Sequence, residues 1–332
     1  MKGTEVANAL FVGAIIVYAV AMLASAVDFA FGTSDREVKA KKRERELAAV
    51  GAGGSSSDSD GADDGPKRVA GAPLDVKAAH NAGRVGVVLT ALATVSLISS
   101  IVVRISSVGR FPWGNMFEYT VGVASVAMTT WLFLMWRGQI PRRLNVFAAF
   151  TITMLLGASV RYYVEAGPLV PALESPWIVI HVTAAIIASG ILTVGFIYAV
   201  LHLMKRRYDA LVSDGKSPNF PINLAAKFPD AKKLEKLTFH THVFAFPLLT
   251  FGIFAGSVWA HYAWGRYWAW DPKEVWAFIS WVVYAAYLHS RVSGRSLKAW
   301  APWIAIIGFA VTLFNLTAVN LVFPGLHSYS GV

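Results

Sequence analysis

The stretch Trp264-Gly265-Arg266-Tyr267-Trp268-Ala269-Trp270-Asp271-Pro272-Lys273-Glu274 holds three of the chain's 12 tryptophans within seven residues. Its last four residues are typical of a helix start, with an Asp for the cap, a Pro at the first helical position and a Glu at the third. Trp264 and Trp268 are four residues apart, so they would share a face if this run is helical. The stretch therefore predicts an aromatic platform that runs into a helix capped at Asp271.

Apolar segments flank this stretch, residues 239–260 before it and residues 275–287 after it. Such neighbours place it at a membrane surface, where Trp and Tyr residues commonly form an interfacial belt. A belt alone does not require a Gly, an Asp-Pro cap and a Lys-Glu pair at fixed spacing. The pattern favours a specialised binding surface, and a simple interfacial belt is the alternative.

The composition is that of a polytopic membrane protein. Of the 332 residues, 55% are hydrophobic and only 15% are charged, and several apolar runs exceed the ~20 residues that cross a bilayer. The net charge of +10 does not indicate nucleic-acid binding, because the basic residues fall in loops beside apolar spans. The chain has no Cys, which excludes disulfides, thiolate metal sites and thiol redox chemistry within it.

The apolar pattern predicts an all-α integral membrane protein with about eight transmembrane helices. The predicted spans are residues 7–31, 85–107, 117–136, 144–163, 177–204, 239–260, 272–290 and 300–322. With the N-terminus outside, 24 of the 30 Lys and Arg residues fall on the inner side, as the positive-inside rule requires. Both termini are therefore expected on the outer side, with the first span retained rather than cleaved as a signal.

Three parts of the chain differ in composition. Residues 1–32 form the first transmembrane helix, residues 33–84 an inner linker, and residues 85–332 the main membrane domain. The linker begins with a mixed-charge run and continues as a Gly/Ser/Asp-rich run. Such a composition cannot bury a core and predicts a flexible connection.

Three of the eight histidines stand out by position. His181 lies one turn inside the outer end of the fifth span and His327 lies in the outer tail, so both can reach the side that carries the tryptophans. His289 lies at the inner end of the seventh span, 18 residues after Asp271. That separation is about five helical turns, or ~27 Å, which puts the two residues on one face at opposite sides of the membrane. The alternative for His289 is that it extends to the surface beside Arg291.

This arrangement fits a flat hydrophobic cargo that contains a metal. An apolar helix face would connect a ligand-capable histidine at the inner end with the aromatic platform at the outer end. Haem meets this description, because neutral imidazoles ligate its iron, aromatic side chains cover the macrocycle and cations pair with its propionates.

The tryptophan stretch resembles the WWD signature of the haem-handling cytochrome c biogenesis proteins. The runs at 287–291 (Tyr-Leu-His-Ser-Arg) and 325–329 (Gly-Leu-His-Ser-Tyr) resemble the CcsA (ResC) family, the membrane component of System II cytochrome c maturation. The pattern of Pro112, Asn115 and Glu118 at the third span is also similar. The resemblance covers residues 85–332, with the external WWD segment at residues 261–276.

The resemblance implies roles for individual residues. His181 and His327 match two external histidines that ligate haem iron on the outer side, and His289 matches a membrane histidine that takes haem from the inner side. The haem is haem b, bound as transported cargo and substrate. The remaining residues expected to contact it are Trp264, Trp268, Trp270, Asp271 and Arg266, with Lys273 as the alternative to Arg266 for pairing with a propionate.

The family's activity implies the partners. It exports haem across the membrane, keeps it reduced, and joins its vinyl groups to the thiols of a Cys-Xaa-Xaa-Cys-His motif in an apocytochrome c. We expect a separate CcsB/ResB-like membrane protein, an apocytochrome c, a thiol-reducing thioredoxin-like protein and membrane lipid as partners, and no nucleic acid. The expected location is a bacterial plasma membrane or a thylakoid-type membrane, with the active face outside the cytoplasm.

Two questions stay open at this point. The chain is expected to belong to a cytochrome c synthase of the haem lyase type, but the resemblance does not decide whether it forms the thioether bonds itself. The alternative function is a polytopic transporter or ion-translocating subunit for a non-haem cargo. Such a protein should carry ionisable residues in mid-membrane, and the middles of the predicted spans hold almost none.

Overall fold

The computed structural model describes residues 2–32, 76–111, 113–165 and 167–327, and the regular structure in these ranges is entirely helical. The α-helices are α1 Lys2–Phe31, α2 Val76–Val108, α3 Met116–Trp136, α4 Asn145–Ser159, α5 Pro176–Ser213, α6 Ala231–Trp264, α7 Pro272–Val292, α8 Arg295–Leu316 and α9 Ala318–Val322. Short 3₁₀ helices lie at Arg142–Leu144, Val160–Tyr162, Pro171–Leu173 and Ile222–Lys227. The predicted all-α fold is confirmed.

Seven helical segments of the described chain are long and apolar enough to cross a membrane. They correspond to α1 to α6 and α8, with α4 extended by its flanking 3₁₀ turns. Helix α7, the predicted seventh span, has 21 residues and reaches about 30 Å. It is not among the seven, because its Trp, Tyr, Ser and His residues lower its mean hydropathy. The multi-pass character is confirmed, and the count of eight stays a prediction.

Helix α2 begins at Val76 rather than at residue 85. Its first turns pack against α1 through small residues, since a side chain at Gly83 would overlap the Asp28 carboxylate and one at Gly86 would lie 2.6 Å from the Ser25 hydroxyl oxygen. This packing extends the helix into residues that the sequence assigned to the linker. The rest of the predicted linker, residues 33–75, lies outside the described residues.

Helix α5 lies at the centre of the fold. It packs against α6 along much of its length and also contacts α3 and α8, while α1 packs mainly on α2 and α4. In the largest buried cluster, Trp131 of α3 stacks on Tyr198 of α5 with ring centroids 5.6 Å apart. Helix α5 therefore contacts α3, α6 and α8. These contacts hold the first turns of α5 in a fixed position relative to α3 and α6.

A buried ion-pair cluster fixes the start of α3. Glu118 accepts hydrogen bonds from Arg104 Nε at 2.7 Å and from Arg110 Nη1 at 3.2 Å, and Asn115 caps the helix by accepting the Glu118 backbone N–H at 2.9 Å. Two members of the pattern noted at the third span therefore hold the loop in place. The third, Pro112, lies outside the described residues.

Candidate functional site

A cavity of about 230 Å³ lies where the N-terminal ends of α3, α5 and α7 meet the C-terminal end of α6. Four of the predicted site residues line it: His181, His327, Trp264 and Trp268. Further lining residues that the following argument uses are Trp113, Met116, Gly252, Gly256, Trp259, Lys273, Glu274 and Asn315. Most of this wall is apolar or aromatic, which suits a hydrophobic ligand.

The start of α5 positions His181. The helix begins at Pro176, and His181 lies in its second turn. The Nδ1 atom of His181 is 2.7 Å from the carbonyl oxygen of Gly252, so Nδ1 carries the proton and Nε2 is the free acceptor. Gly256, one turn further along α6, makes room for the ring, because a Cβ atom there would lie 2.6 Å from two of its atoms.

His327 is held by a carboxylate. Its Nδ1 atom lies 2.8 Å from Asp271 Oδ1, while Asp271 Oδ2 accepts the Leu326 backbone N–H at 2.5 Å. A side chain at Gly325 would overlap the Asp271 carboxylate, so the glycine permits this close approach. A carboxylate that accepts the Nδ1 proton of a histidine fixes the tautomer whose Nε2 can bind a metal.

Asp271 also starts α7, as the sequence predicted. Its Oδ1 accepts the Lys273 backbone N–H at 3.0 Å, and Glu274 Oε2 accepts the Asp271 backbone N–H at 3.2 Å, which completes a capping box with Pro272 at the first position. Burial acts to raise the pKa of Asp271, but the hydrogen bond and charge of His327 and two backbone N–H groups outweigh it and lower the pKa. The carboxylate therefore stays ionised while it holds the histidine.

Trp259 of α6 contacts both histidines, although nothing in the sequence pattern singles it out. Its ring is parallel to that of His181 at a centroid distance of 6.2 Å and lies 5.7 Å from that of His327. It contacts Trp264 edge to face at 4.7 Å. Its indole N–H donates to the Ala172 carbonyl oxygen at 2.9 Å, and only 2% of the residue is exposed. Its fixed position makes it a wall of the cavity.

Trp264 and Trp268 do not share a helical face, because the run between them is not helical. Helix α6 ends at Trp264 because Gly265 adopts a left-handed conformation with φ 73°, so the chain turns before Trp268. Trp268 still lines the cavity and contacts Trp270 edge to face at 5.7 Å. Trp270 is 71% exposed and has a φ of 57°, a backbone conformation that costs a non-glycine residue about 1–2 kcal/mol.

Besides Asp271, three predicted site residues lie outside the lining of the cavity. Arg266 and Trp270 are exposed on the segment that precedes α7. His289 is exposed in the last turn of α7, at the end of the helix opposite the cavity. The structure therefore brings together His181, His327 and two of the three tryptophans, with Asp271 directly behind His327. The ligand roles of all these residues stay predictions.

Known proteins similar to this chain share one description. The family model for the cytochrome C assembly protein matches residues 113–327. The cytochrome c biogenesis protein CcsA of Parasynechococcus marenigrum (strain WH8102) is 35% identical over 288 residues, covering 77% of this chain and 90% of the relative. CcsA of Cyanophora paradoxa is 32% identical over 279 residues, covering 72% and 85%. The family match includes every lining residue of the cavity.

Proposed function

This chain belongs to the CcsA family of cytochrome c biogenesis proteins, and on that premise we propose that it presents haem in the cavity for attachment to an apocytochrome c. Haem, of the b type, is the substrate and cargo. The segment at residues 261–276 and the tail that carries His327 form the presenting surface, and residues 85–332 form the haem-handling domain.

One observation carries the proposal. His181 and His327 line one cavity, and each has its Nδ1 atom engaged by an acceptor, at 2.7 Å for the first and 2.8 Å for the second. Each hydrogen bond favours the tautomer in which Nε2 is free to bind a metal. Two such nitrogens are the axial ligand set of a six-coordinate haem iron.

The aromatic lining supports a porphyrin rather than a small ion. Trp259, Trp264 and Trp268 provide large apolar faces next to the histidines, and aromatic faces stack favourably on flat conjugated ligands. Among the residues that the structure describes, no group of three or more His, Asp and Glu residues is placed to hold a bare metal ion. The iron would therefore arrive inside its macrocycle.

The chemistry that follows needs little from this chain beyond positioning. Each thiol of the apocytochrome motif adds across a haem vinyl group, so that a sulfur–carbon bond forms and the thiol hydrogen goes to the other vinyl carbon. This chain has no Cys, so the apocytochrome supplies both thiols. The chain acts as a component of a cytochrome c synthase that holds the vinyl groups beside these thiols, which a thioredoxin-like protein keeps reduced.

A second haem position is proposed at the inner end of α7. His289 is exposed there, so a CcsB/ResB-like partner would supply the other axial ligand. This placement makes His289 the entry point of a path from the inner to the outer side, in a plasma membrane or thylakoid-type membrane.

The proposed topology has eight spans, with α7 as the seventh and with both termini outside. Because the chain has no Cys, single cysteines introduced at Ser57 and Ser328 are unique labelling sites. An impermeant thiol reagent should label the cysteine at 328 from outside and the cysteine at 57 only after permeabilisation. Labelling of both from one side would contradict the topology.

The function itself is tested by removing the two axial ligands. His181→Ala and His327→Ala should each abolish cytochrome c maturation, and added imidazole should restore it by occupying the vacated coordination position. His240→Ala is the matched control, since His240 is exposed in the N-terminal part of α6 and does not line the cavity. Maturation at the wild-type level in both cavity variants would refute the assignment.

A further inference from the structure

Several polar groups of the cavity wall belong neither to the histidines nor to the network that holds them. Two of them are the ammonium group of Lys273 in the first turn of α7 and the indole N–H of Trp113 in the loop before α3. Both are hydrogen-bond donors that line the cavity. Their surroundings indicate which kind of ligand they are built to meet.

Lys273 has no carboxylate partner within 4 Å among the described residues. Its Nζ donates to the backbone carbonyl oxygen of Asn315 at 3.1 Å and lies 3.7 Å from the sulfur of Met116. The two nearby carboxylates are engaged elsewhere: Asp271 binds His327 and Glu274 binds two backbone N–H groups. A cation in an apolar cavity without an anion is unfavourable, so an anionic ligand would stabilise it.

Trp113 supplies an independent observation. Its Nε1 atom is buried and has no hydrogen-bond partner in the part of the chain that the structure describes, although a buried indole N–H normally finds an acceptor. Met116, the first residue of α3 and three residues after Trp113, contacts the Lys273 ammonium. The end of the loop that carries Trp113 therefore lies beside Lys273. Among the described residues, Lys273 thus lacks a carboxylate partner and the Trp113 indole lacks an acceptor, and both donors line the same cavity.

Arg266, which the sequence also suggested as a cation that pairs with a propionate, is exposed and does not line the cavity. We propose that Lys273 and Trp113 form a carboxylate-binding wall that receives a propionate of haem, so that the cavity selects porphyrins with free carboxylates. This inference rests on the proposed function. It names the feature by which the site distinguishes haem from an iron porphyrin of the same size without charge.

The test compares two iron porphyrins that differ only in their carboxylates. The purified full chain, with His289→Ala to remove the inner position, is titrated with haem and with the dimethyl ester of haem, and binding is followed by the Soret absorption. Haem should bind about tenfold or more tightly than the ester, as expected for a charge-assisted hydrogen bond. Lys273→Met should remove most of this preference by weakening haem binding alone.

Matched variants test whether the preference for haem over its ester depends on Lys273 and Trp113 in particular. Arg266→Met removes a positive charge from the neighbouring exposed segment and should keep the full preference, as should Lys273→Arg, whereas Trp113→Phe should reduce it by a smaller factor. Equal binding of the two porphyrins to the unsubstituted site, or an unchanged preference in Lys273→Met, would overturn this inference alone. Failure of both porphyrins to bind would overturn it together with the proposed function.

Discussion

The two ends of α7 differ in how completely this chain builds a ligand site. Beside its N-terminal end, His181 and His327 line a cavity with their Nδ1 atoms fixed by hydrogen bonds. At its C-terminal end, His289 is exposed, and its imidazole makes no hydrogen bond to the described residues. Under the proposed function, the preorganised pair belongs to a site that the chain completes itself, and His289 belongs to a site that a partner completes.

The helix face between these ends supports the same distinction. Phe278 and Val282 are each 44% exposed, so this apolar face is not covered by other described parts of the chain. Asp271 at the start of the helix is instead buried and bound to His327. This face of α7 is thus available to lipid or a partner, while the start of the helix is fixed inside the fold.

The largest effect is expected from substitution of His289, the exposed histidine at the C-terminal end of α7. If haem enters through His289, then His289→Ala should empty both haem positions in protein purified with its partner from cells. His327→Ala should leave the inner haem in place, because loading precedes transfer. The measurement is haem content per complex. Normal outer haem in His289→Ala without added imidazole would exclude a route through this residue.

Substitutions of Asp271 test how much haem binding in the cavity depends on the carboxylate that holds His327. Asp271→Ala removes the acceptor of the His327 Nδ1 proton and should lower haem affinity about 10- to 100-fold, in addition to a loss of ~1 kcal/mol of helix stability from the cap. Asp271→Asn can still cap and accept, so it isolates the carboxylate charge. Haem titration of the three proteins measures the effect, and equal affinities would show that Asp271 serves only as a cap.

Because the pKa of Asp271 is lowered in the folded protein, its contribution to the stability of the fold depends on pH. Because the folded pKa lies below the unfolded value of about 3.9, the stabilisation is fully present above that value and is lost as the pH falls through the folded pKa. Unfolding measured by denaturant titration at pH 7 should therefore show the full difference between wild type and Asp271→Asn.

A smaller effect is expected from the space that α6 leaves for His181. A Cβ atom at Gly256 would lie 2.6 Å from the His181 ring, so Gly256→Ala should displace the ring and weaken haem binding roughly three- to tenfold. Gly252→Ala is the control one turn away on the same helix, where the nearest atom would be at 3.5 Å, an ordinary contact. Equal haem affinities of the two variants would mean that His181 is not held against α6.

Local features of the site were predictable from the sequence, and contacts between distant segments were not. The capping box at Asp271 and Glu274 was predicted from residue types three positions apart. The hydrogen bond between Asp271 and His327 joins residues 56 positions apart, and no local pattern encodes it. The spacing of Trp264 and Trp268 left open whether the run between them is helical, and Gly265 ends the helix there, as a glycine commonly does just after a helix end.

Trp259 and Trp113 show a different limit. In an apolar span a single Trp looks like any lipid-facing or interfacial residue, so the sequence could not indicate that Trp259 contacts both His181 and His327. Trp113 stood inside a pattern that resembles the family, but only the structure shows its indole N–H without an acceptor. The roles of both residues follow from the groups around their side chains, which the sequence alone does not show.

The central claim is that His181 and His327 together ligate one haem, and the absorption spectrum of the purified full chain, loaded with haem in vitro and then reduced, tests it most directly. With His289→Ala to remove the inner position, the account predicts the sharp low-spin bands of bis-imidazole haem. His181→Ala or His327→Ala should convert them to a high-spin spectrum, and added imidazole should restore them. An unchanged bis-imidazole spectrum in the variant that lacks both histidines would contradict the account.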